Sequence, residues 1–372
     1  MTDQTVGFFD LSTVLSAARP QLDAAWGRVL AHGQFVGGPE IAEFETAFAE
    51  FCSAPACVGV GNGTDAIELA LLGLGVAPGT EVIVPTNTFV ATPAAVSNIG
   101  AIPRFVDVDE ATLLLTPEIA EAAITERTSA IIAVHLFGQP CDMSGLSDVA
   151  RDHGLILMED AAQAHGAEFD GQRIGTHSAA ATFSFYPGKN LGALGDGGAV
   201  VTKDPVLADR VRSLSAHGAS EDDRHTHVAI GRNSRLDTLQ AALLQVRLGT
   251  LETENAHRRL VRTWYEELLP STAPLVTQAP GRLSAHHQIV AQVEDRGALK
   301  QRLQDRGVST GIHYPTPCHL QPSFAHLPPA ELPVAERAAS RILSLPLWSH
   351  IERSQVEYVC EQIRSLAPAG VG

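Results

Sequence analysis

The chain has 372 residues, a formal net charge of −16 and five scattered cysteines without metal-type spacing. At that length two domains are expected, because single cores stop growing near ~250–300 residues. The acidic balance argues against a nucleic-acid or anionic-membrane partner, and no segment approaches the ~20 apolar residues of a membrane span. Met1 to Asp10 carries no basic region followed by an apolar stretch, so a cytoplasmic location with reduced thiols and no metal centre is expected.

In chain order, the first clear pattern is Ile41, Phe44, Phe48 and Phe51, which recur at helical spacing behind Gly37-Gly38-Pro39. A helix opening at Pro39 and turning this aromatic stripe into the core is predicted. Strands are predicted at Cys57–Val60, Glu81–Pro85, Ile102–Val106, Ala130–His135, Leu155–Glu159, Ala180–Phe185 and Gly198–Thr202. Helices are predicted between them at Thr64–Leu74, Thr92–Ile99 and Ser144–His153. Continuous apolar runs such as Ile131-Ile-Ala-Val134 suit strands buried on both faces. The alternation predicts an α/β fold whose large domain holds a mainly parallel seven-stranded sheet between helices. Ligands of such sheets lie beyond the carboxyl ends of the strands.

Farther on, His217–His227 is crowded with His, Asp and Glu and reads as a polar loop rather than a metal site. A long helix is predicted at Leu236–Leu251, followed by the polar stretch Glu252–Arg262. The large domain is assigned to residues 1–254. A smaller C-terminal domain takes residues 255–372.

Four segments at strand ends carry chemistry. In Val58-Gly-Val-Gly-Asn-Gly-Thr-Asp65 a strand yields to a glycine turn and a helix start, where free N–H groups and the Thr64 hydroxyl suit a phosphate. The spacing is neither a Walker loop nor a dinucleotide fingerprint. In Asn87-Thr-Phe-Val-Ala-Thr92, Phe89 is either a core residue or a face for an aromatic ligand. In Leu155-Ile-Leu-Met-Glu-Asp160, Asp160 ends a buried strand, where a carboxylate needs a positive partner or strong donors. A protonated pyridine nitrogen is one such partner and a helix cap is the alternative; Gln163 stands three residues on. Lastly, Ser184-Phe-Tyr-Pro-Gly-Lys-Asn-Leu-Gly192 places Lys189 between glycines behind an apolar run. Taken alone, such a lysine reads first as part of an exposed glycine-rich loop, but a desolvated one has a lowered pKa and forms Schiff bases. A phosphate cup, an aromatic face, an acidic partner and an amine on successive strand ends together describe a site for pyridoxal phosphate.

These segments, with Gly231-Arg-Asn-Ser-Arg-Leu-Asp-Thr-Leu-Gln-Ala-Ala242 and Gly311-Ile-His-Tyr-Pro-Thr-Pro-Cys-His-Leu-Gln-Pro322, resemble the DegT/StrS-type sugar aminotransferases from about Phe35 to Ile351. The resemblance implies the pyridoxal-phosphate transferase fold type I and a homodimer with shared active sites. It implies that Lys189 forms the Schiff base, Asp160 faces the pyridine nitrogen, Gln163 meets the ring hydroxyl and Phe89 stacks. Gly63, Thr64, Asp65 and Ser184 would hold the phosphate, with Asn233 reaching it from the neighbouring subunit. Tyr186, His313 and Tyr314 would meet the substrate. The implied reaction moves an amino group from glutamate to a nucleotide-linked keto-sugar, with dTDP-3-keto-6-deoxyhexoses foremost. A 4-keto-sugar, an aminocyclitol precursor and a non-catalytic regulator of the same fold stand as alternatives. A related sugar dehydratase branch carries His at the Lys189 position, so the lysine argues against dehydration.

Overall fold

The computed structural model describes residues 5–220, 222–223 and 225–366. Three helices come first, α1 (Leu11–Ala17), α2 (Arg19–His32) and α3 (Pro39–Phe51). As predicted, α3 starts at Pro39 and buries Phe44 and Phe48 completely. Phe48 meets Phe183 edge-on at 5.0 Å and Phe185 at 5.3 Å. Burying one such ring contributes about 1.5–3 kcal/mol, so this stripe clamps α3 onto the sheet.

Strands and helices then alternate: β1 (Ala56–Val60), α4 (Gly63–Gly73), β2 (Glu81–Pro85), α5 (Ala91–Asn98), β3 (Ile102–Val106), α6 (Pro117–Ala122), β4 (Thr128–Val134), α7 (Met143–Asp152) and β5 (Ile156–Asp160). Polar side chains open several of these helices; Asn62, Thr116 and Asp142 each accept a first-turn N–H. A small hairpin of β6 (Glu168–Phe169) and β7 (Gln172–Arg173) precedes β8 (Ala180–Ser184) and β9 (Gly198–Thr202). The seven long strands form one sheet in the order β1-β9-β8-β5-β4-β2-β3. Only β9 runs against its neighbours, pairing antiparallel with both β1 and β8. The mainly parallel seven-stranded sheet expected from the sequence is therefore present, with strand ends within two residues of those predicted.

After α8 (Pro205–Ser215) comes α9 (Thr238–Leu268), a single helix of 31 residues. It continues through the polar stretch after Leu251, because that stretch still buries residues on one face. Leu244 and Leu251 pack into the core around the large sheet, while Val261 and Tyr265 enter a second core. The expected boundary at residues 254/255 thus falls within this shared helix. The second core holds the pair β11 (Ile289–Gln292) and β12 (Ile342–Leu345), α10 (Arg296–Gln304) and α12 (Arg353–Leu366). Two smaller elements turn back to the large domain: β10 (Arg282–Leu283) pairs with β6, and α11 (Pro333–Arg341) packs Ala335 and Ala338 into the core of the large sheet. Val6 and Val14 of the N-terminal segment also join the second core, tying it back to the start of the chain.

Between α8 and α9, bridges join Ala216 to Asn233 and Ala219 to His227, so the His/Asp-rich stretch is a folded-back loop. Glu221 and Arg224 of that stretch lie outside the described residues. Among the described residues no helix is long and apolar enough to cross a membrane.

Candidate active site

The carboxyl ends of β1, β2, β4, β5 and β8 surround a cavity of about 830 Å³. Asp160, the last residue of β5, is buried in its wall. Its carboxylate accepts the Thr92 hydroxyl at 2.7 Å and the Ala162 N–H at 3.1 Å. Two carboxylate oxygens offer about four lone-pair sites, so Asp160 keeps capacity for a further donor. Gln163 is fixed in orientation: its Oε1 accepts the Phe137 N–H at 2.7 Å, and its Nε2 donates to the Tyr314 hydroxyl at 3.3 Å. The amide therefore presents donors to the cavity side.

Lys189 lines the same space. Burial lowers its pKa to about 8, opposed by the charge of Asp160. At neutral pH a substantial minority of the amine is then unprotonated, which an ordinary lysine near 10.4 is not. The environment around it is tuned for neutral partners. Burial, reinforced by Lys189, lowers His313 to about 4 and His165 to about 3, and pushes His287 well down.

The phosphate-type corner is built by close approach. A Cβ on Gly63 would stand 2.6 Å from the Ser184 Cβ, and one on Gly198 would stand 2.5 Å from the Asn62 carbonyl carbon. Glycine at both positions lets the N-terminus of α4 rest against the ends of β8 and β9. The Asn62 side chain accepts the Asp65 N–H at 2.9 Å, while the N–H groups of Gly63 and Thr64 head the helix. Thr64 and Ser184 both line the cavity beside them.

Phe89 and Tyr186 stand at the cavity rim, 52% and 60% exposed. Phe89 lies 5.5 Å from the Tyr314 ring at 39°. His313 stacks on Phe8 at 5.7 Å and shares a 2.8 Å hydrogen bond between its Nδ1 and Ser344 Oγ.

Two expected residues do not line this cavity. The Asp65 carboxylate is held by Asn62 Nδ2 at 3.1 Å and Arg232 Nη1 at 3.1 Å, and its own N–H is taken by Asn62. With its donor spent and only acceptors left, Asp65 serves the cap of α4 rather than offering bonds to a phosphate. Asn233, bridged to Ala216 in the loop before α9, is exposed and lies outside the cavity of its own chain, as expected of a residue that would reach a neighbouring subunit.

A sequence profile of the DegT/DnrJ/EryC1/StrS aminotransferase family matches residues 18–364. The chain belongs to this family. It is 46% identical over 367 residues to the dTDP-3-amino-3,4,6-trideoxy-alpha-D-glucose transaminase of Streptomyces venezuelae, covering 97% of this chain and 96% of that one. It is 47% identical over 364 residues to the erythromycin biosynthesis sensory transduction protein EryC1 of Saccharopolyspora erythraea, covering 97% and 99%. The crystal structure of S. venezuelae DesV in complex with a ketimine intermediate superposes with a TM-score of 0.95 at 45% identity, covering 97% of this chain and 98% of that one.

Members of the DegT/DnrJ/EryC1/StrS family are pyridoxal-phosphate-dependent aminotransferases. The residues present fit that cofactor. A carboxylate with spare acceptor capacity, a cradle at a helix start that any Cβ would fill, and an amine of lowered pKa share one cavity. Sequence reasoning alone missed Thr92, Arg258 and His287. Thr92 lay inside a quoted motif, yet only folding brings its hydroxyl to Asp160, 68 residues away. Arg258 and His287 come from α9 and the segment before β11, and nothing in their local sequence points to the cavity.

Proposed function

We propose that this protein transfers the amino group of glutamate to a dTDP-linked 3-keto-6-deoxyhexose, in the biosynthesis of an amino deoxysugar. The observation that carries the reading is the lowered pKa of Lys189 beside Asp160 in a cavity large enough for a nucleotide-linked sugar. The near-full-length similarity to the S. venezuelae transaminase supports the choice of nucleotide and of position 3.

When bound, pyridoxal phosphate supplies an electrophilic carbonyl and a ring that withdraws electrons from the reacting carbon. The chain supplies the rest. Gly63, Thr64 and Ser184 hold the phosphate with N–H and hydroxyl donors. Asp160, oriented by Thr92, keeps a negative charge opposite the ring nitrogen and so favours its protonated form. Gln163 directs its amide toward the ring hydroxyl, and Phe89 covers a ring face. Lys189 Nζ takes the proton from the α-carbon of glutamate and later delivers one to the sugar carbon. Positioned proton transfer of this sort contributes about 10²–10⁴-fold in rate. Tyr186, His313 and Tyr314 orient the sugar; His313, held neutral, adds a hydrogen bond without adding charge.

A homodimer with shared sites is part of this reading. Ile230 is 95% exposed and Val228 69% exposed on the loop that ends at Asn233, so a second copy covering that loop removes apolar surface from water while bringing Asn233 to the other cavity. Light scattering at twice the chain mass agrees with it, and a monomer counts against it.

One relative bears a sensory-transduction name. A regulator has no need of a cavity lysine beside a buried carboxylate, and both are intact. The test is incubation with glutamate and a panel of dTDP-3-keto, dTDP-4-keto and cyclitol ketones, with mass detection of aminated products. Amination of the dTDP-3-keto sugar with 2-oxoglutarate released is expected. Amination of another ketone alone, or of none, overturns the substrate assignment or the reaction respectively.

A further inference from the structure

Helix α9 carries four arginines on its buried or half-buried surface, and three of them are matched by carboxylates. Arg247 meets Glu254 at 2.9 Å, Arg259 meets Glu252 at 2.9 Å and Arg262 meets Glu266 at 2.8 Å. Arg258 differs. It is only 3% exposed and lines the cavity, yet no carboxylate of the described residues lies within ion-pair distance. Glu254, one turn back on the helix, is already occupied by Arg247 and by Thr250 at 2.8 Å.

The neighbours of Arg258 do not neutralise it. His287 Nδ1 bonds Asn190 Oδ1 at 3.1 Å, and Asn190 spends its own donors on Asn255 and the Ala285 carbonyl. That network fixes His287 with its proton on Nδ1, leaving a neutral ring. Lys189, His287 and Arg258 line the same cavity, so the guanidinium borders the space that the amine enters. Burial has lowered Arg258 to about 10, the mark of a cation short of an anion. A buried, unpaired charge costs several kcal/mol in general, and such a cost persists where a ligand removes it during function.

We propose that Arg258 is the anchor for a carboxylate of the amino-acid donor, holding it so that the donor amine is presented beside Lys189. The inference rests on the aminotransferase reading above and names the residue that makes the donor an amino acid. A planar guanidinium meets a carboxylate through two parallel N–H···O bonds, which fixes orientation as well as affinity. A guanidinium only 3% exposed suits the small donor better than the bulky diphosphate of a nucleotide sugar.

The test uses the wild type, Arg258→Gln and Arg258→Lys, each checked for folding by circular dichroism and thermal melting. Calorimetry with glutarate, a dicarboxylate that has no amine to react, measures binding alone. The two half-reactions of the holoenzyme, started with glutamate or with the dTDP-amino sugar, are followed by cofactor absorbance. Glutarate affinity and the glutamate half-reaction are expected to fall about 100-fold in R258Q, the loss of one strong or two modest charge-assisted hydrogen bonds. R258K is expected to recover part of both, and the amino-sugar half-reaction should stay within about threefold of wild type. Equal loss of both half-reactions in folded R258Q, or unchanged glutarate binding, overturns the assignment. A wild type that binds glutarate through Arg258 but performs neither half-reaction refutes the aminotransferase reading instead.

Discussion

Replacing Lys189 by alanine is expected to lower turnover by roughly 10⁴-fold or more and to abolish the visible absorbance of the cofactor-loaded protein. Two losses combine. The amine that binds the cofactor carbonyl disappears, and so does the base that moves a proton at the reacting carbon. The surviving network does not compensate, because His165, His287 and His313 are all held neutral by burial and by Lys189 itself. Removing Lys189 raises their basicity but supplies no amine to bind the cofactor carbonyl. Stability should move the other way. The folded-state pKa of Lys189 is lowered from 10.5 to about 8, so the ammonium form opposes folding. That penalty is fully present below pH 8 and fades as pH rises through 10.5; it amounts to at most roughly 3 kcal/mol. At pH 7 the variant apoprotein should therefore melt no lower than the wild-type apoprotein, while the cofactor-loaded variant is inactive. Retained turnover, or inactivity explained by unfolding, would go against this assignment.

Asp160→Asn is expected to cost about 10²–10⁴-fold in turnover, with the fold intact. Asparagine matches the shape of aspartate, but it offers one acceptor oxygen where Asp160 uses two, for Thr92 and for the Ala162 N–H. The amide must then face a donor with another donor, and no negative charge remains opposite the ring nitrogen. A second readout separates this role from a merely structural one. Asp160 raises the pKa of Lys189 against the effect of burial, so its neutral replacement must lower that pKa further. Reloading of the apoprotein with pyridoxal phosphate requires the free amine, and its rate should climb with pH up to about 8 in the wild type. In D160N the climb should end at lower pH. An unchanged profile means that the carboxylate does not act on Lys189.

The large-domain fold was readable because its strands are buried on both faces, so their β-branched runs stand out between helices. Predicted and observed ends agree where a glycine turn or a polar cap follows, as at Val60 and Thr202. Helix α9 was foreshortened because its later turns bury Arg258 and Arg262 rather than a continuous apolar stripe. The same cause hid Arg258 as a cavity residue, since local sequence does not record which polar side chain will be enclosed. Asp65 illustrates the opposite case. It sits next to Thr64 in the motif, yet helix geometry turns its carboxylate toward Arg232. Strand-end residues such as Asp160, Ser184 and Lys189 were found because parallel sheets gather their ends in one place.

Borohydride reduction of the cofactor-loaded protein, followed by proteolysis and mass spectrometry, tests the central claim most directly. The pyridoxyl mass is predicted on the peptide containing Lys189, with the nitrogen of that side chain as the modified atom. Recovery of the label on another lysine, or complete absence of label from a protein that has taken up pyridoxal phosphate, would contradict it.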